Sequence, residues 1–394
     1  MADTVLDRIN AVADGIRAQA PHNEKLGRLS DTAAGLLREA GAIRMLQPKK
    51  HGGLEVHPRE FAETVMAIAA LDGSTGWVSG VVGVHPWEMA YADPRVQEEI
   101  WGEDQDTWIA SPYAPMGIAR PVDGGYVFNG RWQFSSGTDH CKWIFLGGLL
   151  GDADGKPVQP VETLHLILPR SDYEIVDGTW DVVGLRGTGS KDVVVRDAFV
   201  PDHRVIPYNK VVDGTAAKEA GLTNPAYHLP FSAAFPLGIT AAVIGICEGG
   251  LAHHAEYQRG RVSITGTQVR NDPHAMYALS EAAAEISASR TALLDNICRM
   301  YDLVAAGREV TFEQRAAGRR IQVQAAWRAV RALNEVFVRS GGNGLRMDNP
   351  LQRFWRDANN GLVHAIHQPG GVFQAAALTQ LGIDPPQGPM RSMI

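Results

Sequence analysis

The apolar spacing of this chain changes from that of helices to that of strands near Ile118, and after Pro207 it changes back. The stretch "ARPVDGGYVFNGRWQFSSG" alternates around Gly124-Gly125 and Asn129-Gly130. "WIFLGGLL", "ETLHLILP", "YEIVDGTWDVVGL" and "DVVVRDAFVP" follow at short intervals with Gly and Pro between them. A strand-rich unit of about a hundred residues, a usual domain size, is therefore enclosed by helical segments on both sides. The order α, β, α excludes folds built from alternating βα units, and no internal repeat or low-complexity linker interrupts it. The expected class is α+β, with a helical domain over residues 1–117, a β-domain over 118–215 and a helical bundle over 216–394.

In the first segment, "LSDTAAGLLREAGAIRML" places Leu29, Ala33, Leu36, Leu37, Ala40, Ile43 and Leu46 near one helical face, with Ser30 as N-cap. "QPKKHGG" breaks the pattern at Pro48, Gly52 and Gly53. "PREFAETVMAIAALD" predicts a helix with Pro58 near N1 that stops before Gly73. "GSTGWVSGVVGVHPWEMAYA" is almost uncharged and rich in small residues, which predicts burial. Beyond about Pro230 three long amphipathic runs follow, starting at "AAVIGICEGG", "AMYALSEAAA" and "TFEQRAAGRR".

Charged residues make up 21% of the 394 positions and the formal net charge is -7, so no basic surface points to nucleic acid. Cys141, Cys247 and Cys298 are widely spaced and form no CxxC, which fits reduced thiols and a cytoplasmic location better than disulfides or zinc. The N-terminal residues lack the unbroken apolar core of a signal peptide. No apolar run is expected to reach the roughly 18 residues of a membrane span.

No GxGxxG joins a strand to a helix, since "GLRGTG" at Gly184 has the wrong spacing and lies between strand patterns. P-loop, GxSxG and HExxH motifs are also missing. One short segment is nonetheless dense in chemistry: "GRWQFSSGTDHCKW" combines aromatic bulk with adjacent serines, an Asp and a His.

Three separated motifs, "QPKKHGGLEV", "VVGLRGTGSKDVVVRDAFVP" and "SGGNGLRMDNPLQRFWRDA", resemble the acyl-CoA dehydrogenase superfamily in order and spacing from about residue 10 to 390. That resemblance implies an N-terminal helical domain, a central antiparallel β-barrel or sandwich and a C-terminal four-helix bundle. In the dehydrogenases a carboxylate soon after "RDA" abstracts a proton. Here "RDANNGLVHAIHQPGG" has no Glu or Asp between Ala358 and Gly371, and offers His364 instead. With "WQFSSGTDH", "GSTGWVSGVVGVHPW", "EEIWGED" and "SPYAPMG", the chain resembles the oxygenase components of two-component flavin-dependent aromatic monooxygenases. Among these it is similar to actinobacterial hydroxylases of a secosteroid phenol.

The resemblance implies reduced FAD or FMN delivered by a separate flavin reductase, dioxygen, a C4a-hydroperoxyflavin, a small aromatic substrate and a homotetramer. Trp132, Phe134, Ser135 and Ser136 match positions that contact the isoalloxazine ring, with the Ser136 hydroxyl near N5. His85, Ser111 and Tyr113 match substrate-binding positions. His364 matches the histidine taken as base, and an imidazole of pKa about 6.5 suits a phenol of pKa about 10. Arg261, Gly341, Gly342 and Gly344 match segments reaching the ribityl-phosphate or adenine end of the flavin, often on a neighbouring subunit.

Other readings of the same residues stand beside these. His364 and His367, read on a helical stretch, make a metal pair without a third ligand, so no metal is expected. His85 before Pro86 also fits a local cap, Arg261 a surface charge, and "GRWQFSSG" a hairpin of packed aromatics. Asp139 and His140 are expected to stabilise a turn, and His253 and His254 to be structural. The alternatives in function are an indole or polycyclic natural-product hydroxylase, an acyl-CoA dehydrogenase with a base elsewhere, and a flavin-free binding protein.

Overall fold

The computed structural model describes residues 3–264, 266–386, 388, 391 and 394. It opens with helices α1 (Val5–Ala11), α2 (Ala13–Leu26), α3 (Asp31–Ala40), α4 (Pro58–Leu71), α5 (Gly73–Met89) and α6 (Pro94–Trp101). Ser30 caps α3 by accepting from the Ala33 N–H at 3.0 Å. The helix does not run on to Leu46. Gly41 takes a left-handed φ of 74° and ends it, and Ala42–Arg44 form a separate turn. Helix α4 has Pro58 in its first turn, and extended Asp72 separates it from α5, whose first turn the Asp72 carboxylate caps.

The strands are β1 (Ile109–Ala110), β2 (Gly117–Val122), β3 (Gly125–Ser135), β4 (Trp143–Leu150), β5 (Thr163–Pro169), β6 (Glu174–Val176), β7 (Lys191–Pro201) and β8 (Val205–Pro207), so strand structure begins ahead of Ile118. They make one sheet in the order β6-β7-β3-β2-β4-β5-β8, with β1 beside β4. Most pairs are antiparallel, but β2–β4 and β1–β4 are parallel. Gly124 forms the β2–β3 hairpin turn at a φ of 74°, whereas Asn129 and Gly130 stay within β3, where the register against β7 shifts. "GRWQFSSG" is not a hairpin, because β3 pairs with β2 and β7 and never with β4.

Two short helices, α7 (Tyr208–Val212) and α8 (Thr215–Glu219), lead to α9 (Phe231–Arg259), α10 (Pro273–Ala305), α11 (Phe312–Val338), α12 (Pro350–Leu362) and α13 (Pro369–Gln380). Helix α9 reaches a mean hydropathy of 1.6 over a membrane-length window, so the expectation that no segment qualifies was too strict. That window is 83% buried within the protein, because α9 is the central core helix. It packs on α4, α5, α10, α11 and α12.

The close packing of α5 on α9 explains the small residues of "GSTGWVSGVVG". A Cβ on Gly80 would stand 2.5 Å from the Gly238 carbonyl oxygen, and one on Gly238 would press still closer on the Gly80 carbonyl. The two backbones touch, and nearly all of α5 is buried. Gly238→Ala is expected to cost about 1–3 kcal/mol of stability by forcing the helices apart. A denaturant midpoint unchanged from the parent would refute that packing.

Candidate functional site

Trp77 of α5 joins the two ends of the chain that carry the strongest chemical candidates. Its indole N–H donates to Ser136 Oγ at 3.2 Å, and its ring meets the His364 imidazole edge-on with centroids 5.8 Å apart. Gly361 makes the approach possible, since a Cβ there would lie 3.0 Å from the Trp77 ring. Ser136 Oγ also lies 2.7 Å from Ser190 Oγ, which lies 2.7 Å from Thr188 Oγ1, and Thr188 donates to the Leu185 carbonyl at 2.8 Å. Strand β3, the "RGTGS" loop, α5 and the end of α12 therefore meet at one point.

His364 is not on a helix. Helix α12 ends at Leu362, and His364 caps the short turn Ala365–His367, its Nδ1 accepting from the Ile366 N–H at 3.3 Å. An Nδ1 that accepts is unprotonated, so the neutral ring carries its proton on Nε2. Burial, with a contribution from the Arg319 guanidinium, lowers its pKa to about 4, although the ring is partly exposed. In this tautomer neutral His364 is a hydrogen-bond donor at Nε2, with Nδ1 engaged by the Ile366 N–H. His367 neither supports it nor faces solvent. Buried Nδ1 donates to the Gly361 carbonyl at 3.0 Å and Nε2 accepts from Thr240 at 3.2 Å, leaving no nitrogen for a metal.

His85 shows the opposite tautomer. It lies in the body of α5, not at a cap, and is fully buried. Its Nδ1 donates to the Ile109 carbonyl of β1 at 2.5 Å, which leaves Nε2 an acceptor with no partner. Burial lowers its pKa to about 4, so the acceptor persists at neutral pH. Ser111 Oγ, two residues beyond Ile109, is likewise buried and unpartnered. Buried polar atoms without partners cost about 1–3 kcal/mol each, and a ligand that pairs them recovers it. The Tyr113 ring packs on His85, Phe145, Phe231 and Phe235 at centroid distances of 5.8, 5.1, 5.6 and 4.2 Å. The three expected substrate positions thus come together against aromatic rings. Trp77 and His85 are about 12 Å apart along α5, at about 1.5 Å per residue.

Behind this group, Glu88 and His165 form a fully buried pair that sequence reasoning missed, and Tyr113 packs on the same imidazole. Burial and the Glu88 carboxylate hold the Tyr113 phenol well above its usual range. Tyr113 matches a substrate position, but nothing in the sequence links it to Phe145, Phe231 and Phe235.

Some expected flavin contacts fall elsewhere. Trp132 is fully buried inside the sheet, packed on Phe128, and its N–H donates to the Gly147 and Ala114 carbonyls at 2.8 and 3.1 Å. It is a core residue and gives no wall to a ligand. Phe134 is 65% exposed with a φ of 67°, beside Trp180, while Ser135 is buried with its hydroxyl unpartnered. Asp139 and His140 do hold the turn, pairing with Lys191 at 2.7 Å and with the Leu29 carbonyl at 2.9 Å. Arg261 donates to the Arg339 carbonyl at 2.9 Å, and its guanidinium crowds the space a Cβ on Gly341 would fill. Gly341 has a φ of 70°, and Gly342 and Gly344 follow in the next turn. His253 and His254 tie the same loop down through Asn349 and Ser340 at 3.1 and 2.8 Å.

Asp357 is the carboxylate nearest to His364 in sequence, yet it serves the "RGTGS" loop. Its Oδ1 accepts from the Leu185 N–H at 2.6 Å and its Oδ2 has no partner. Burial, opposed by that hydrogen bond and reinforced by Asp72, pushes its pKa up to about 7. A carboxyl raised from its unfolded value of 3.8 contributes stability that is lost as pH rises through about 7. Asp357→Asn keeps the acceptor for Leu185 and is expected to be more stable than the parent at pH 8 by roughly 1–3 kcal/mol, with a smaller gap at pH 5 that closes only toward the unfolded value of 3.8. Urea midpoints at the two pH values check this, and a gap that is equal at both would contradict it.

Known proteins share this arrangement. The family described as "Acyl-CoA dehydrogenase, C-terminal domain" matches residues 237–369. The chain is 60% identical, over all of both chains, to a "Pigment production hydroxylase" of Rhodococcus erythropolis. It is 43% identical to the "Flavin-dependent monooxygenase, oxygenase subunit HsaA" of Mycobacterium tuberculosis, over 98% of this chain and 97% of the other. The crystal structure of 3-HSA hydroxylase from Rhodococcus sp. RHA1 superposes with a TM-score of 0.92 at 40% identity, covering 98% of each chain. The resemblance drawn from the motifs is thereby confirmed, in fold and in reaction class. The chain belongs to the flavin-dependent monooxygenases of acyl-CoA dehydrogenase fold, as an oxygenase component that hydroxylates an aromatic substrate with reduced flavin from a separate reductase.

Proposed function

We propose that the substrate is a secosteroid-like phenol whose hydroxyl donates to His85 Nε2 beside the aromatic rings of Tyr113, Phe145, Phe231 and Phe235. The observation that carries this reading is the unpartnered acceptor at His85, fixed in that tautomer by the Ile109 carbonyl. Ser111 supplies a second polar contact. A hydrogen bond accepted at Nε2 draws the phenolic proton and raises electron density at the ortho carbon, so the acceptor serves chemistry as well as binding.

Reduced flavin supplies the electrons that activate dioxygen, and the residues around Trp77 fit its ring. Ser136 and Ser135 offer hydroxyls, His364 offers an N–H that can hold an oxygen atom, and Phe134 and Trp180 cover the edge. Arg261 and Gly341 would meet the phosphate end, since the guanidinium stands beside Gly341. Val262, Val338, Leu345 and Met347, all exposed, surround that end with apolar surface. This supports a homotetramer in which a neighbouring subunit completes the flavin site, and light scattering of the purified protein tests it. The three free cysteines support a cytoplasmic location.

The 29% identity to an "Indole-3-acetate monooxygenase" of Acinetobacter baumannii supports a second reading, an indole or polycyclic substrate. An indole N–H is also a donor, and His85 Nε2 would accept it equally well. Reduced FMN or FAD, oxygen and a panel of phenols and indoles, mixed with the pure chain and resolved by mass, decide between them. Hydroxylated steroid-like phenol with little oxidised indole supports the first reading, and the reverse ranking overturns it.

A further inference from the structure

The hydroxyls leading away from Ser136 have a fixed direction. The Leu185 carbonyl can only accept, and it takes the Thr188 hydroxyl at 2.8 Å, the Thr188 N–H at 3.1 Å and the Trp180 indole N–H at 3.1 Å. Thr188 has one hydroxyl hydrogen, and it is spent there. The 2.7 Å contact between Thr188 and Ser190 must then be a bond donated by Ser190, and the 2.7 Å contact between Ser190 and Ser136 one donated by Ser136. The Trp77 N–H can only donate, and it takes one of the lone pairs on Ser136 Oγ. Ser136 therefore faces its surroundings with a single remaining lone pair and no hydrogen. All three hydroxyl residues are buried, so water does not scramble this order.

The string has a rigid anchor. Leu185 has a left-handed φ of 54°, unusual for a branched residue, which aims its carbonyl at Thr188 while its N–H donates to Asp357. Gly189, with a φ of 57°, turns the chain so that Thr188 and Ser190 present their hydroxyls to each other.

We propose that Thr188 and Ser190 are specificity-determining residues that hold Ser136 as an acceptor only, and so select reduced flavin over oxidised flavin. This rests on the reading that Ser136 faces N5 of the flavin ring. Reduced flavin carries a hydrogen at N5 and can donate it to the free lone pair of Ser136. Oxidised flavin has a lone pair at N5, which would meet another lone pair in a buried site. Breaking the string weakens this preference. With Thr188→Val, Ser190 loses its acceptor and can donate to Ser136 instead, freeing the Ser136 hydrogen for N5 of the oxidised form. Ser190→Ala frees the same hydrogen by removing the acceptor of Ser136.

The test is the ratio of dissociation constants for oxidised and reduced flavin, measured anaerobically on the full-length chain by flavin fluorescence and calorimetry. The parent is expected to favour reduced flavin. Thr188→Val and Ser190→Ala should each lower the ratio about tenfold or more, the size of one buried hydrogen bond gained or lost, while Thr188→Ser retains it. A purely structural role for the string would weaken both forms alike. An unchanged ratio in both broken-string variants therefore overturns the proposal. If the parent binds neither form, the flavin reading of this site fails and the proposal falls with it.

Discussion

Replacing His85 with leucine is expected to cut hydroxylated product about 10²–10⁴-fold, the range for losing a positioned proton acceptor, while reduced flavin continues to be oxidised by dioxygen. Leucine fills the volume within α5 but offers nothing to the substrate hydroxyl, so oxygen is turned into released peroxide. Peroxide and product, measured in one reaction, separate this outcome from a misfolded protein, which would lose flavin oxidation too. The pH dependence carries the same argument. Burial lowers the pKa of His85 to about 4, so the acceptor is neutral and competent throughout pH 5–8 and is lost only as pH falls toward about 4. Product formation per flavin should therefore hold steady down to pH 5. A fall centred near 6.5 would mean that the acceptor is an ordinary exposed imidazole.

The second large effect is at His364, where two substitutions distinguish a donor from a base. His364→Ala is expected to lose product about 10²-fold or more with peroxide released in its place. His364→Gln keeps an N–H on a side chain of similar reach and should recover product to within about tenfold of the parent, since one hydrogen bond is altered and not removed. A base at His364 would make the two variants equally inactive, because an amide cannot accept a phenol's proton.

Both predictions depend on tautomers, which no sequence pattern carries. The motif "VHPW" marks His85, but only the β1 carbonyl beside it decides which nitrogen stays free. In the same way "GLVHAIH" reads as one more helical turn, yet α12 stops at Leu362 and the ring becomes a cap. What was legible came from backbone chemistry that acts locally. Pro58 and Ser30 set helix starts, Gly124 set a hairpin, and the uncharged small residues of α5 foretold burial. The unreadable parts arise where distant segments meet. Trp132 matches a flavin-contacting position of the family, but Gly117 on β2 and Gly130 on β3 leave room for its ring inside the sheet. Trp77 lies in a segment read only as buried, and its role appears once Ser136 and His364 are both seen against it. The acyl-CoA dehydrogenase alternative is set aside by the hydroxylase relatives at 60% and 43% identity, and Asp357, the carboxylate nearest to His364 in sequence, turns to the Leu185 N–H.

The arrangement around Trp77 is tested most directly by an anaerobic crystal structure of the chain with reduced flavin bound. The account predicts an isoalloxazine ring seated at Trp77, N5 within hydrogen-bonding distance of Ser136 Oγ and the His364 imidazole on the oxygen-reacting side. A flavin ring bound elsewhere, or one that turns N5 away from Ser136, would contradict it.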